Sequence, residues 1–508
     1  MTATRNSVPD LTPAELDALA AELDAIRAEV LAGLGADDAA YIRRVVEAQR
    51  RLEVAGRATL FASLFPPAWL AGTALLATAK ILENMEIGHN VLHGQWDWLR
   101  DPAIHSTTWE WDHVTPADQW KHAHNHVHHT YTNIVGLDRD VGYGLLRMTP
   151  DQPWAPRYLA QLLVNAGLAL NFQWGVALYD AEIERGFAGE KGWREIGTQL
   201  AAVLRKGVRQ TGKDYVAFPV LAGPACVPVL LANLGANTAR NVWAHTVIFC
   251  GHFPGDVTFF EPGCLAGESR GAWYLRQLLG SANIDGPPLL HLLTGNLSHQ
   301  IEHHLFPDLP SNRYAEIAPR VRALCERFGL PYNSASLPRQ AARAWGRVAR
   351  FSLPNWLTGA RPAQTASATR DAAPGSDHPA GNSRSAVRPV SVTPPSPAEP
   401  WQTALPNRTS PPNAASAKST SRAKVTSGNE AAAANSTSRK AAGAQNVAAP
   451  NSAWPPNRAP VKDAGPEKVT ASKRASAAKL AASKPAAAPN EAPRSATGPA
   501  KVAARKAV

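Results

Sequence analysis

Histidine is crowded into three short segments of this chain whose ends lie more than two hundred residues apart, so any fold that serves them must bring those segments to one place. "GHNVLHGQ" supplies His89 and His93, "KHAHNHVHHTYTN" supplies His124, His128 and His129, and "SHQIEHHLFP" supplies His299, His303 and His304. Residues three or four apart share a helical face. Each cluster can therefore aim two imidazoles at one point, while the adjacent pairs His128-His129 and His303-His304 serve two centres. Eight or nine such donors exceed what one tetrahedral zinc would use, and neutral imidazole suits iron, zinc, copper or nickel. The spacing points to a binuclear metal site.

A fourth stretch, "RNVWAHTVIFCGHFPGD", puts Asn241, His245 and His252 on one helical face. His252 lies level with the other clusters and His245 about two turns deeper, some 10 Å by helical rise, so both cannot reach one site. His252 is favoured as the additional ligand, with His245 as its rival and Asn241 beside them. The isolated His105, His113, His291 and His378 read as structural, and His122 and His126 as cradle residues whose rings hydrogen-bond rather than ligate.

Two apolar tracts set the topology. Residues 58 to 82 are interrupted by Pro66-Pro67, and residues 214 to 253 around "GANTARN"; with a span needing about 20 residues, each is expected to form a helical hairpin. The histidine clusters must meet on one side, which demands an even number of crossings between them. Residues 158 to 179 are therefore expected in the interface plane or as a re-entrant element, since the linker 185–213 is rich in Lys and Arg and prefers the cytoplasm. The expected architecture is an all-α membrane protein with about four transmembrane helices in two hairpins. Its histidine-rich cap and both termini face the cytosol.

From Arg361 onward the chain is Ala, Pro, Ser, Thr, Asn, Lys and Arg, too poor in large apolar residues to offset chain entropy, so 361–508 reads as a disordered tail. It holds about 21 Lys and Arg against 7 Asp and Glu, so the basic balance of the chain belongs to the tail, which can attract anionic partners. The four cysteines show no paired spacing, which argues against a disulfide framework or a cysteine-held cluster and fits a cytosol-facing chain. At the other end, "LTPAELDALAAELDAIRAEVL" predicts an amphipathic helix within residues 1–40, with Thr12 as N-cap, Glu15 closing a capping box, and a stripe of Leu16, Leu19, Leu23, Ile26 and Val30. The stripe suits a partner helix or a bilayer surface, and no secretory leader precedes it. The main domain is expected to cover residues 41–345.

The boxes read "HNVLH", "HNHVHH" and "QIEHH", and with the wording "QIEHHLFPDLP" and "HHTYTN" residues from about 40 to 340 resemble the membrane fatty acid desaturases, in particular their bacterial acyl-lipid and acyl-CoA branch. The resemblance implies two iron ions in a non-haem centre, dioxygen as co-substrate, and removal of two hydrogens from adjacent methylenes of a fatty acyl chain to give a cis double bond. It also implies His89, His93, His124, His128, His129, His303 and His304 as iron ligands, with no catalytic residue beyond the ligands. In the third box either His299 or Gln300 faces the metals; His299 is favoured because imidazole is the better ligand. Glu86 and Glu302, within a helical turn of ligands, are expected to hold ligand imidazoles by hydrogen bonds.

The chemistry has its own logic. An unactivated methylene resists acids and bases, so a metal centre must supply the reactive oxygen while the protein positions the chain, for which a kinked apolar tunnel is expected. "WDW" at 96–98 and "WEWD" at 109–112 are candidate walls or interfacial anchors. The chain contains no HPGG segment, no cysteine pattern for an iron–sulfur cluster and no GxGxxG fold, which implies a separate electron donor, a ferredoxin or a flavin reductase. The alternative is a histidine-box hydroxylase of alkanes or other lipids, against which the "EHHLFP" wording weighs. A metal transporter would instead place ionisable residues inside the spans.

Overall fold

The computed structural model describes residues 9–360; the expected tail and His378 lie outside the described residues. Thr12 caps α1 (Pro13–Ala32), its hydroxyl accepting from the Glu15 amide at 3.3 Å while the Glu15 carboxylate accepts from the Thr12 amide at 2.8 Å. The apolar stripe of α1 is buried within the protein, where Leu19, Leu23, Ile26 and Val30 share a core with Tyr274 and Ile317. Contact there is close enough that a Cβ at Gly271 would fall 2.1 Å from the Leu16 carbonyl oxygen, which only glycine avoids.

Helix α2 (Ala36–Leu60) turns back at residues 61–65 into α3 (Pro66–Leu82), with the diproline opening the second helix as fixed-φ residues do. The first apolar tract thus holds one arm of a hairpin, and the charged α2 is the other. The segment expected in the interface plane is two helices, α4 (Gln161–Leu170) and α5 (Phe172–Asp180), in a path bent by 98°. Next come α6 (Trp193–Gly212) and α7 (Cys226–His252), and α7 overturns the expected second hairpin: it runs for 27 residues straight through "GANTARN".

The polar residues taken for a break are instead a buried stripe with partners. Asn233 and Asn237 donate to Asp214 at 2.7 and 3.1 Å, and Arg240 donates to the Asp112 carbonyl at 3.0 Å. Asp214 also binds Arg57 at 2.9 Å and Lys80 at 2.8 Å, and Lys80 reaches Asp112 at 2.9 Å. On the opposite side of α7, Val227, Leu231, Leu234 and Val242 are exposed. The polar stripe thus faces in, beside the buried Val229, Ala232 and Ala236, and an apolar stripe faces out.

Among the described residues no single helix is long and apolar enough to cross a membrane; only the bent pair Pro156–Leu170 and Phe172–Phe187 qualifies together, by length and composition. The reason is visible in the sequence: α3 has 17 residues, and the inward stripe of α7 lowers its mean hydropathy.

The remainder closes the structure around α8 (Arg270–Gly280), α9 (Gln300–Leu305), α10 (Tyr314–Arg327) and α11 (Leu337–Ser352). An all-α chain was expected; the fold is mostly helical but includes a two-stranded parallel sheet of β1 (Asn283–Asp285) and β2 (Ser334–Ser336), with Ile284 opposite Ala335.

Candidate metal centre

Two of the three boxes sit on helices that widen locally. A π-helical turn, Glu83–His89, continues α3 and delivers His89 and then His93; another, His122–His128, delivers His124, His128 and His129. With i→i+5 bonding, residues four and five along both stay near the face of the first, so His128 and His129 flank His124. The third box is α9, and the loop before it docks on the first turn: Gly295, at φ 70°, lies so close that a Cβ would fall 2.5 Å from the Met85 backbone.

The convergence is tight. One ring nitrogen from each of His89, His93, His124 and His303 lies within 4.8 Å of the others, and the same holds for His128, His252 and His304. His124 and His128 form a third such set with Asp140. His129 lies between the first two groups, its ring centroid 4.8 Å from His93, 4.9 Å from His303 and 4.5 Å from His304.

Several ring nitrogens in this nest are buried without a hydrogen-bond partner among the described residues: Nε2 of His93, His124, His128 and His304, and both of His129. Leaving so many polar atoms unsatisfied is costly, and a set of converging neutral nitrogens suits divalent metal ions. Burial, followed by the neighbouring imidazoles, pushes His93, His129 and His304 well below the ordinary histidine range, which keeps them in the ligating form.

His128 departs from the rest. Burial pulls its pKa down, but the carboxylates of Asp138, at 3.0 and 3.1 Å from Nδ1, and of Asp140, at 3.7 Å, lift it to about 9. His124 Nδ1 lies 3.5 Å from Asp140, whereas two rings of the third box find neutral partners: His304 Nδ1 lies 3.0 Å from the Gln277 amide oxygen, and His303 Nδ1 lies 3.3 Å from the Tyr314 hydroxyl. Asp138, Asp140, Gln277 and Tyr314 were not singled out from the sequence. The first two had a signal, since "LDRD" begins eight residues after the last histidine of the second box; the others, remote in sequence, had none.

Other expectations are corrected. His299 is outside the nest: α9 begins only at Gln300, and His299 precedes it with φ −99° and ψ 55°, so no helical i−4 face exists there. Its ring stacks on His291 at 4.6 Å, while the Gln300 amide nitrogen lies 3.2 Å from His252 Nε2. His245 is also apart, stacked on Phe249 at 3.9 Å and 3.0 Å from the Asn165 amide oxygen, and Asn241 donates to the Leu170 carbonyl.

Neither glutamate holds an imidazole. Glu86 accepts from Tyr41, Asn296 and Ser311, and Glu302 from Asn283 and Tyr332, so both tie backbone segments together instead. His122 and His126 are exposed and stack on each other at 5.7 Å, away from the nest. His113 stacks on Trp111.

A cavity of about 50 Å³ opens beside His89 and His124, with Met85, Trp111, Trp120, Tyr143, Phe172 and Ile248 among its walls. Of the tryptophan-rich stretches, "WEWD" contributes Trp111 to this cavity, whereas Trp96 of "WDW" is fully buried in a core with Ile87 and Val91.

The sequence profile described as fatty acid desaturase matches residues 65–336. Among curated proteins, an NADPH-dependent stearoyl-CoA 9-desaturase of Mycobacterium tuberculosis is 51% identical over 349 residues, covering 68% of this chain and 82% of that protein. An sn-1 linoleoyl-lipid 6-desaturase of Synechocystis sp. is 28% identical, covering 54% and 77%. An acyl-lipid (9-3)-desaturase of Borago officinalis is 38% identical, covering 43% and 49%.

Proposed function

The chain belongs to the fatty acid desaturase family, and from that premise we propose that its imidazole nest holds two iron ions with which, using dioxygen, it converts adjacent methylenes of a fatty acyl chain into a cis double bond. Its activity is desaturation of acyl chains. One ion would be held by His89, His93, His124 and His303 and the other by His128, His252 and His304, with His129 between them and Gln300 beside His252. Bound iron would supply the activation of dioxygen that no side chain can provide.

The protein's own residues do the rest. Asp138 fixes the His128 ring through Nδ1 and Gln277 fixes that of His304, each leaving Nε2 turned to the nest. The walls beside His89 and His124, mostly aromatic and aliphatic but with Asp140 and Asp180 among them, bound a narrow space in which burial would contribute about 0.8 kcal/mol per methylene. Positioning one pair of methylenes next to the centre then decides which bond is oxidised.

Removing two hydrogens while dioxygen becomes two waters consumes two electrons and two protons from outside. The name of the M. tuberculosis relative supports NADPH as the ultimate source, delivered by a separate reductase. The outward apolar face of α7 and the bent α4–α5 path support association with a bilayer, with the nest at its cytosolic side.

The observation that carries the reading is the meeting of eight imidazoles, from segments far apart in sequence, with their free nitrogens inward. Purified protein should contain two irons per chain and, with stearoyl-CoA, NADPH and a competent reductase, yield an alkene by gas chromatography. An alcohol as product, or a preparation that turns over with zinc alone, would overturn it.

A further inference from the structure

We propose that the cleft between α2, α6 and the 110–116 loop is a binding site for the phosphate-bearing head group of the acyl substrate. This deepens the desaturase reading and rests on it. The cleft has a volume of about 620 Å³, within the range of small-molecule sites and far from the broad face a docked protein needs.

Its walls are cationic beyond what its acids neutralise. Lys206 is paired with Glu110 and Lys213 with Asp112. Glu53 is engaged by Arg57, which comes from behind the cleft. Glu83, pushed up to about 8 by burial and by Asp112, carries little charge at neutral pH. That leaves Arg50, Arg205 and Arg209, all exposed at the rim, with no ion pair among the described residues. Three guanidinium groups around a concave space present the forked donors that phosphate oxygens accept.

Position favours a substrate over a free anion. Trp111 lines both this cleft and the cavity beside His89 and His124, so the two spaces are neighbours that meet at its side chain. On α6, Leu204 and Val208 are exposed beside Arg205 and Arg209, an apolar edge next to a basic one. A phosphate head with a fatty tail matches that order, with the tail passing Trp111 toward the nest.

The test uses the full chain with Arg50→Gln, Arg205→Gln and Arg209→Gln combined; the residues are exposed, so folding is retained, and a normal iron content checks it. Equilibrium dialysis with labelled coenzyme A and flotation with phosphatidylglycerol vesicles measure binding without turnover, alongside KM and kcat for stearoyl-CoA. We expect coenzyme A binding to be lost and KM to rise about tenfold with kcat at saturation unchanged. If vesicle binding falls instead and KM for acyl-lipid rises, the phosphate site stands and its source is a phospholipid. Unchanged binding of both probes, or a rise confined to the KM for the electron donor, overturns the proposal. Wild-type protein that binds coenzyme A through these arginines yet never forms an alkene would sink the desaturase reading alone.

Discussion

Replacing Asp138 with Asn should weaken metal binding in a way that depends on pH. In the metal-free chain the carboxylates of Asp138 and Asp140 raise His128 from the ordinary 6.5 to about 9, equivalent to roughly 3 kcal/mol. Asp138 carries most of that effect because both its oxygens lie within 3.1 Å of Nδ1, against 3.7 Å for Asp140. A metal loading this group at pH 7 must displace a proton held about two pH units more tightly than the medium, a competition of roughly a hundredfold. Losing a carboxylate behind a ligating imidazole costs about 10- to 100-fold in affinity.

The two effects oppose each other. At pH 7 Asp138→Asn loses basicity and also loses the competing proton, so its affinity for iron(II) should stay within a few-fold of wild type. At pH 9 the competition is gone and the full 10- to 100-fold loss should appear. Asn133 and Asp140 donate their backbone N–H groups to the two oxygens of Asp138, and the amide can accept only one of them, a pH-independent cost of about 1–3 kcal/mol. The readout is therefore the change with pH, from anaerobic chelator competition with iron counted by elemental analysis. The metal-free proteins supply a sign check: His128 has a raised folded pKa, so its stabilisation is complete below pH 6.5 and fades through pH 9. The variant should unfold earlier than wild type at pH 6, with the gap narrowing by pH 10. An equal loss of iron affinity at both pH values, or none at pH 9, would refute the reasoning.

His252→Ala should remove about one of two irons and abolish desaturation, whereas His299→Ala should keep both irons and turnover, because only the first ring faces the nest; elemental analysis and product chromatography decide. Glu83 is buried with a pKa raised to about 8, so its charged form destabilises the fold: stability is highest below pH 4.5 and falls as pH rises through 8. Glu83→Gln should therefore raise the thermal unfolding midpoint at pH 9 relative to wild type and change it little at pH 5. Lys80→Met leaves Asp112 and Asp214 short of a buried cation and should cost about 3–5 kcal/mol in unfolding experiments. Adding Asp214→Asn should recover part of that loss, and an additive further loss would count against the network.

Much of the candidate site was legible because histidine is a rare residue type and here recurs at fixed spacing. Seven of the box histidines and His252 could be named from their separations, and the structure brings all eight into one nest. Local backbone defeated the reading at His299, where helical spacing was assumed one residue before the helix begins. It failed for Glu86 and Glu302 because nearness in sequence says nothing about which way a buried carboxylate points. The partners of those glutamates, Ser311 and Tyr332 among them, come from segments that only the fold brings together. The missed continuity of α7 has a similar cause: Asn, Arg and Gly between apolar runs look like a loop until Asp112 and Asp214 are seen receiving them from elsewhere in the chain.

The π-helical turns at Glu83–His89 and His122–His128 act as mechanical joints. A uniform α-helix would lock the rotation of each box histidine to that of every residue upstream, so a change in the first half of α3 would swing His89. A widened turn absorbs such rotation locally. Substitutions upstream of the joint can thus be accommodated while the arrangement of the box histidines is inherited intact, and deleting one residue within either turn should do the reverse.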